Sequence, residues 1–279
     1  MKKACVIGWP ISHSRSPLIH NYWLSRYGIS GSYERIAVAP ADLEGFFARI
    51  RSGEFTGCNI TLPHKESAIV YLDRVEDEAR VSGSVNTIYW EDAKLVGTST
   101  DGRGFADNVT ATVKDFTWTG QKMLVLGAGG SARAIIAGLL QREVTEVGVW
   151  NRTAQRAEAL SQQLGKKVSA VNRDALVDAA READVIINTT SAGFSGTPQL
   201  DFPFGAISEK KIVADIVYVP LVTPFLQQAK AHGHIIVPGL GMLLYQAVLG
   251  FEKWFGHRPE VTQELHDLVA RDIEKGHQQ

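Results

Sequence analysis

Lys65 and Asp101 are residue types that can move and steer a proton, and each stands at the end of an apolar run. Lys65 follows Cys58-Asn59-Ile60-Thr61-Leu62 and a strand-stopping Pro63. Ligands of open α/β sheets gather beyond the carboxyl ends of strands, where a lysine with a tuned pKa can exchange a proton. The plain alternative is a solvated surface lysine, which composition alone favours. Asp101 follows Thr98-Ser99-Thr100 and either caps a helix beginning near Gly102 or stands opposite Lys65. Spacing does not separate the two, because the pairing is long-range.

Other polar residues interrupt apolar patterns. Ser14-Arg15-Ser16 precedes Pro17 at a helix start, so Ser16 is either the N-cap or, with Ser14 and Arg15, part of a hold for a small carboxylate. Asn86 and Thr87 break the strand Val85 to Trp90, and Gln246 breaks the apolar face of a late helix. Gln246 is either a core amide or a substrate contact.

A second constellation has the composition a pyrophosphate requires. Met123 to Leu126 is an apolar strand ending in Gly127-Ala128-Gly129-Gly130-Ser131-Ala132, and a helical pattern follows at once. Gly127, Gly129 and Ala132 stand at the spacing of the dinucleotide fingerprint, where glycine permits close backbone approach and the helix start presents unpaired N–H groups. After the next strand, an NAD site would carry Asp or Glu for the ribose diol. This chain has Asn151-Arg152-Thr153, with Arg156 one turn along. Absence of the acid and two guanidiniums favour a 2′-phosphate, hence NADP; the alternative is a helix start with surface arginines. Thr189 lies in the small polar run ending a later strand, again where a cofactor would lie.

These residues need an α/β scaffold to hold them. Strands over 3–8, 32–38 and 56–62 alternate with helices from Pro17 to Gly28 and over 40–51, which predicts a largely parallel sheet. A helix is expected over 73–81, then a hairpin of 85–90 with 94–98. Strands at 122–126, 146–150, 168–171, 184–188, 212–216 and 234–237 alternate with helices and predict a doubly wound sheet. A Pro/Gly loop over 194–205 and closing helices over 242–254 and 259–273 complete the reading. The fold class is thus α/β with two domains.

The 279 residues carry a formal net charge of -1, which gives no reason to expect nucleic acid or an anionic membrane as partner. No run spans a bilayer. Cys5 and Cys58 lie in strand-like runs and suggest reduced thiols and the cytoplasm. His232 and His234 lack a further ligand cluster, so no metal site is expected.

Taken in order, Ser14-Arg15-Ser16-Pro17, Asn59 to Lys65, Val85-Asn86-Thr87, Thr100-Asp101-Gly102, Gly127 to Arg133, Asn151-Arg152-Thr153, Asp215 to Tyr218 and Gly239 to Met242 resemble the shikimate dehydrogenase family over essentially the whole chain. The resemblance implies reversible hydride transfer between NADP and the 3-position of shikimate, giving 3-dehydroshikimate, in aromatic amino-acid biosynthesis. It implies that Ser14, Ser16 and Tyr218 bind the substrate carboxylate. Thr61, Lys65, Asn86, Asp101 and Gln246 meet the ring hydroxyls, and Lys65 with Asp101 is the catalytic pair. Arg152 and Thr153 hold the 2′-phosphate, Gly239 lines the cofactor site and Met242 sits against the nicotinamide. It further implies a substrate domain over 1–102 completed by 240–279, an NADP domain over 103–239, a cleft between them, and a monomer or homodimer. Ser99 departs from the family pattern, which has Asn two places before the catalytic Asp. A quinate-using relative and a non-catalytic NADP(H) sensor are the rival readings.

Overall fold

The computed structural model describes residues 1–194 and 197–276. Residues 195–196 of the expected Pro/Gly loop, and 277–279, lie outside the described residues. The chain divides into two compact units, Met1–Asp101 with Leu244–Val269, and Gly102–Leu243 with the chain from Ala270. Among the described residues no helix is long and apolar enough to cross a membrane.

The first unit opens with β1 (Lys2–Gly8), α1 (Ser16–Arg26), β2 (Gly31–Ala37), α2 (Leu43–Arg51) and β3 (Gly57–Ile60). Then come β4 (Arg74–Val75), α3 (Asp77–Ser82), β5 (Thr87–Glu91) and β6 (Lys94–Thr98). These strands form one sheet in the order β2-β1-β3-β5-β6-β4. β1 pairs in parallel with β2 and β3, while β5 runs antiparallel to both β3 and β6. β1 and β3 are buried on both faces, as their unbroken apolar runs require. Cys5 and Cys58 face each other in register as free thiols.

The second unit contains α4 (Asp101–Thr112) from Gly102 on, then β7 (Lys122–Leu126), α5 (Gly130–Leu140), β8 (Glu146–Trp150), α6 (Ala154–Leu164) and β9 (Val168–Val171). It continues through α7 (Leu176–Glu182), β10 (Val185–Asn188), β11 (Ile212–Asp215), α8 (Pro224–Ala231), β12 (Ile235–Val237) and, as far as Leu243, α9 (Leu240–Tyr245). Its sheet is parallel throughout, in the order β12-β11-β10-β7-β8-β9. The strand order reverses between β7 and β10, the switch point where a doubly wound sheet opens a crevice. Gly102 of α4 crosses Gly138 of α5 so closely that a Cβ on Gly102 would stand 2.8 Å from the Gly138 Cα.

After α9 the chain returns to the first unit as α10 (Ala247–Phe255) and enters α11 (Gln263–Gly276). Trp254 of α10 donates its indole N–H to the Ile88 carbonyl at 2.8 Å and lies over Gly57. Any Cβ at Gly57 would collide with that indole nitrogen, so the glycine is what admits the helix.

Three expected helices differ. In place of one helix over 73–81, Asp73 accepts the Leu95 N–H at 2.7 Å and its own N–H bonds back to Leu95, drawing Arg74–Val75 onto β6 before α3 begins. The helix expected over 242–254 is interrupted at Gln246. The last helix begins at Gln263 and not at Pro259, because the Thr262 hydroxyl accepts the Leu265 N–H.

The β5–β6 hairpin turns through Asp92 and Ala93, at φ of 49° and 58°. Two positive φ values match the primed turn that suits strand twist, but alanine there carries a steric cost. Ala93→Gly is expected to raise the stability of the first unit by about 0.5–1 kcal/mol, read as slower exchange of β5 and β6 amides.

Candidate active site

The turn after β3 is pinned at each step. Thr61 N–H bonds the Ile7 carbonyl at 2.9 Å, His64 N–H bonds the Thr61 carbonyl at 3.0 Å, and Val85 N–H bonds the Lys65 carbonyl at 2.9 Å. The buried His64 ring pairs its Nε2 with the Val38 carbonyl at 2.7 Å. Gly8 at the end of β1 leaves room for Thr61, whose Cγ2 would be 2.6 Å from a Cβ there. Held this way, Lys65 places its Nζ 2.7 Å from Asp101 Oδ2, with side-chain exposures of 26% and 15%. Asp101 therefore serves as the partner of Lys65; its other oxygen accepts from Asn86 Nδ2 at 2.7 Å.

Asn86 is the hub of this end of the sheet. Its Oδ1 accepts from Thr100 N–H at 2.9 Å, Thr100 Oγ1 at 3.1 Å and Thr87 Oγ1 at 3.0 Å. Those bonds define which way the amide points and secure the loop that leads to Asp101. Among the described residues the buried Ser99 hydroxyl has no hydrogen-bond partner, and the loop is held through Thr100 on Asn86. Gln246 approaches the same loop, its Oε1 3.4 Å from Thr100 Oγ1.

Ser16 does not cap α1. The cap position is Arg15, and Ser16 is the first helical residue. Proline at the second helical position has no N–H to be capped, and the Ser16 N–H turns back to Ser14 Oγ at 3.4 Å. The two hydroxyls stand 3.3 Å apart beside this helix start, and Arg35 fixes the loop by donating to the Ser14 carbonyl at 2.7 Å. Paired hydroxyls at an N-terminus suit a carboxylate. Thr61 Oγ1 has no hydrogen-bond partner among the described residues and is free to meet a hydroxyl.

In the second unit, Gly127 has φ of +115° and its N–H bonds the Trp150 carbonyl at 2.7 Å. A Cβ there would meet Thr189 Oγ1 at 2.6 Å. Thr189 spends its hydroxyl on the Leu126 carbonyl at 2.9 Å, so it walls the turn across the switch point. A Cβ on Gly129 or Gly130 would meet nothing within 4 Å, and α5 starts there without a side-chain cap, followed by Ser131 and Ala132. Ala128 is the turn residue between Gly127 and Gly129. Such an open cradle before unpaired amides fits a pyrophosphate. Asn151 closes the next turn by donating to the Thr153 carbonyl at 2.8 Å. Arg152 and Arg156 are exposed there, with no ion pair among the described residues.

Tyr218 and Met242 belong to this second unit. Tyr218, half-buried, lies three residues beyond Asp215. Met242 packs on the unit's core, and Gly239 admits close contact, since a Cβ there would be 2.6 Å from the Ile216 carbonyl oxygen. Asp215 is buried and accepts from Thr223 Oγ1 at 2.6 Å, Asn188 Nδ2 at 3.0 Å and Val217 N–H at 3.0 Å.

Sequence reasoning assigns no role to Asn59, Thr100, Asn188, Asp215 or Thr223. Asn59 carries the same signal that singles out Asn86, an amide inside an apolar strand. Thr223 is legible only as a helix start.

A glycine turn at the switch point of a six-stranded parallel sheet in one unit, and an amine–carboxylate pair in a second α/β unit, define a two-unit oxidoreductase of the dinucleotide-binding class. Three family models match in order: the shikimate dehydrogenase substrate binding domain over residues 6–88, shikimate / quinate 5-dehydrogenase over 110–195, and the shikimate 5′-dehydrogenase C-terminal domain over 239–263. A shikimate dehydrogenase (NADP(+)) of Azorhizobium caulinodans is 45% identical, covering 98% of this chain and 97% of that protein. The crystal structure of shikimate 5-dehydrogenase from Thermus thermophilus in complex with NADP(H) and shikimate superposes with a TM-score of 0.85 at 37% identity, covering 98% of this chain and 100% of that one. Quinate dehydrogenase from Corynebacterium glutamicum in complex with NAD has a TM-score of 0.86 at 26% identity, over 97% and 99% of the two chains. The chain belongs to the shikimate dehydrogenase family.

Burial pushes the Asp215 carboxyl up to about 6, against the opposing hydrogen bonds from Thr223, Val217 and Asn188. A folded-state value above the ordinary one means the folded chain binds the proton more tightly, so stability rises as pH falls through 6 and is lost as pH rises again. From pH 7 to pH 5 this group alone is expected to add about 1 kcal/mol to the second unit. Hydrogen exchange of β10 and β11 amides at the two pH values checks it: Asp215→Asn should lack that increment.

Proposed function

We propose that this chain catalyses the NADPH-dependent, reversible reduction of 3-dehydroshikimate to shikimate. The observation that carries the reading is the Lys65–Asp101 pair, 2.7 Å apart at the sheet end, with Asn86 on the remaining carboxylate oxygen.

NADPH, when bound, supplies the hydride. The open glycine cradle at Gly127 to Ala132 suits its pyrophosphate, Arg152, Thr153 and Arg156 its 2′-phosphate, and Gly239 and Met242 the nicotinamide end. The chain's own chemistry concerns the proton. As the carbonyl carbon is reduced, its oxygen must gain a proton, and Lys65 Nζ donates it; in oxidation the amine takes it back. Asp101 aims the ammonium and restrains it from swinging to solvent. A positioned acid of this kind contributes roughly 10²–10⁴-fold. Ser14 and Ser16, with Tyr218, bind the carboxylate, while Thr61, Asn86 and Gln246 meet the ring hydroxyls. Residues 1–102 with the C-terminal helices act as the substrate domain and 103–239 as the NADP domain. Two reduced thiols accord with a cytoplasmic enzyme of small-molecule metabolism.

Formation of NADPH absorbance from shikimate and NADP tests the reading, with quinate and NAD as parallel arms. No absorbance change with shikimate, or a higher kcat/KM for quinate, would overturn it. Lys65→Ala is expected to lower kcat by at least ~10² while KM for shikimate stays within a few-fold. Arg152→Ala is expected to raise KM for NADP by about 10–100-fold and leave KM for NAD unchanged, since one charge-assisted hydrogen bond is worth about 1.5–3 kcal/mol.

A further inference from the structure

We propose that Tyr33 is a positioning residue for the Lys65–Asp101 pair, acting through the side chain of Asn59. The proposal rests on the proton-transfer reading above and extends it two hydrogen bonds into the interior of the first unit.

Tyr33 is a buried phenol on β2, two strands away from β3 across the sheet. Its hydroxyl donates to Asn59 Oδ1 at 2.5 Å. Asn59 in turn spends both amide protons, on the Asn86 carbonyl at 3.0 Å and on Thr87 Oγ1 at 3.1 Å. Thr87 passes its own proton to Asn86 Oδ1 at 3.0 Å, and Asn86 Nδ2 reaches Asp101 Oδ1. The chain is directional. Each carboxamide has its oxygen facing donors and its nitrogen facing acceptors, so each bond reinforces the orientation of the next. At the far end lies the only carboxylate oxygen that Lys65 does not use.

The surroundings of Tyr33 fix the tilt of its ring. One face of the ring is stacked on His20, with centroids 4.1 Å apart and 16° between planes, and Trp254 tilts against it at 5.7 Å. His20 is buried, and among the described residues neither ring nitrogen makes a well-formed hydrogen bond; burial pulls its pKa down to about 3, with the Asn59 side chain opposing. It behaves as a flat neutral slab that fixes the phenol's tilt without competing for its proton. Burial likewise raises the Tyr33 pKa, with the Ser16 hydroxyl and Asn59 opposing, so the phenol stays a donor. Ser16 is one of the two serines assigned to the substrate carboxylate. Tyr33 thus stands between the carboxylate end and the proton-transfer end.

Removing only the hydroxyl takes from Asn59 Oδ1 its short donor and leaves the amide beside the His20 ring, so the amide has reason to rotate. The experiment is Tyr33→Phe, which keeps the ring and its stack. The expected result is a kcat for 3-dehydroshikimate reduction lowered about 5- to 30-fold with KM for NADPH within twofold. The deuterium isotope effect on kcat, measured with NADPH labelled at the transferred position, should rise as the chemical step becomes limiting. Asn59→Ala should lose more, and Tyr33→Phe combined with Asn59→Ala should lose no more than Asn59→Ala alone. His20→Phe, a control for packing, should keep kcat within twofold. Exchange of the Thr100 amide, whose N–H rests on Asn86 Oδ1, should quicken at least 10-fold in Tyr33→Phe, and this readout needs no turnover. Wild-type kcat retained within twofold, additive losses in the double variant, or unchanged Thr100 exchange would overturn the proposal. A wild-type protein inactive on 3-dehydroshikimate but with Thr100 exchange responding would instead overturn the functional reading and leave the hydrogen-bond chain standing.

Discussion

A charge pair in a half-buried place does useful work only if its geometry is fixed, and here that constraint falls on one amide. Asn86 accepts three protons on its oxygen and gives one from its nitrogen to Asp101. Through those bonds the β5 strand, the loop after β6 and the carboxylate become one rigid piece. A paired ammonium and carboxylate alone would gain little from each other near water, since exposed ion pairs contribute about 0–1 kcal/mol. What the pair gains from Asn86 is direction. The Lys65 side is restrained by backbone: its carbonyl is tied to Val85, one residue before Asn86.

The second unit meets its own requirement by leaving things out. Gly129 and Gly130 have open space where a side chain would stand, and α5 begins uncapped. Gly127 and Gly239 are glycine for the opposite reason, because a side chain there would strike Thr189 or the Ile216 carbonyl. Close approach in one pair and vacancy in the other shape a single loop cluster at the carboxyl ends of the strands. The order of those strands makes that end the place where a crevice opens.

How much of this was legible in the sequence follows from how local each feature is. The glycine turn, the strands of the parallel sheet and the arginine-bearing turn after β8 depend on residues within one or two turns of each other, and their spacing carries the information. The pairing of Lys65 with Asp101 depends on the sheet order β3-β5-β6, which no spacing within either motif reveals; the residues alone leave the pairing and a helix cap open, and the likeness of the whole chain to a family is what favours the pairing. The helix expected over 73–81 failed because Asp73 is claimed by Leu95, a tertiary bond that overrides a charged, helix-compatible composition. Ser16 is not the cap because the first helical hydrogen bonds run to the Arg15 carbonyl, one residue earlier. Asn59 and Tyr33 went unassigned because a polar atom in a strand becomes informative only once its partner on another strand is known.

The chemistry of the two buried polar clusters differs in a way that bears on function. In the second unit the fulcrum is a carboxylate, Asp215, whose charge is penalised by burial and whose hold on Thr223 and Val217 therefore responds to pH. In the first unit the links from Tyr33 to Asp101 are amides, hydroxyls and a phenol that burial keeps protonated. Amides have no proton to lose in the physiological range, so the orientation they impose on Asp101 is independent of pH. The Lys65–Asp101 pair therefore rests on a scaffold that does not change with pH. A buried ionisable group in the same position would have coupled the geometry of the pair to its own titration. Neutral amides therefore suit the place next to the Lys65–Asp101 pair, and Asp215, the carboxylate that burial pushes up, stands at a strand end of the other unit.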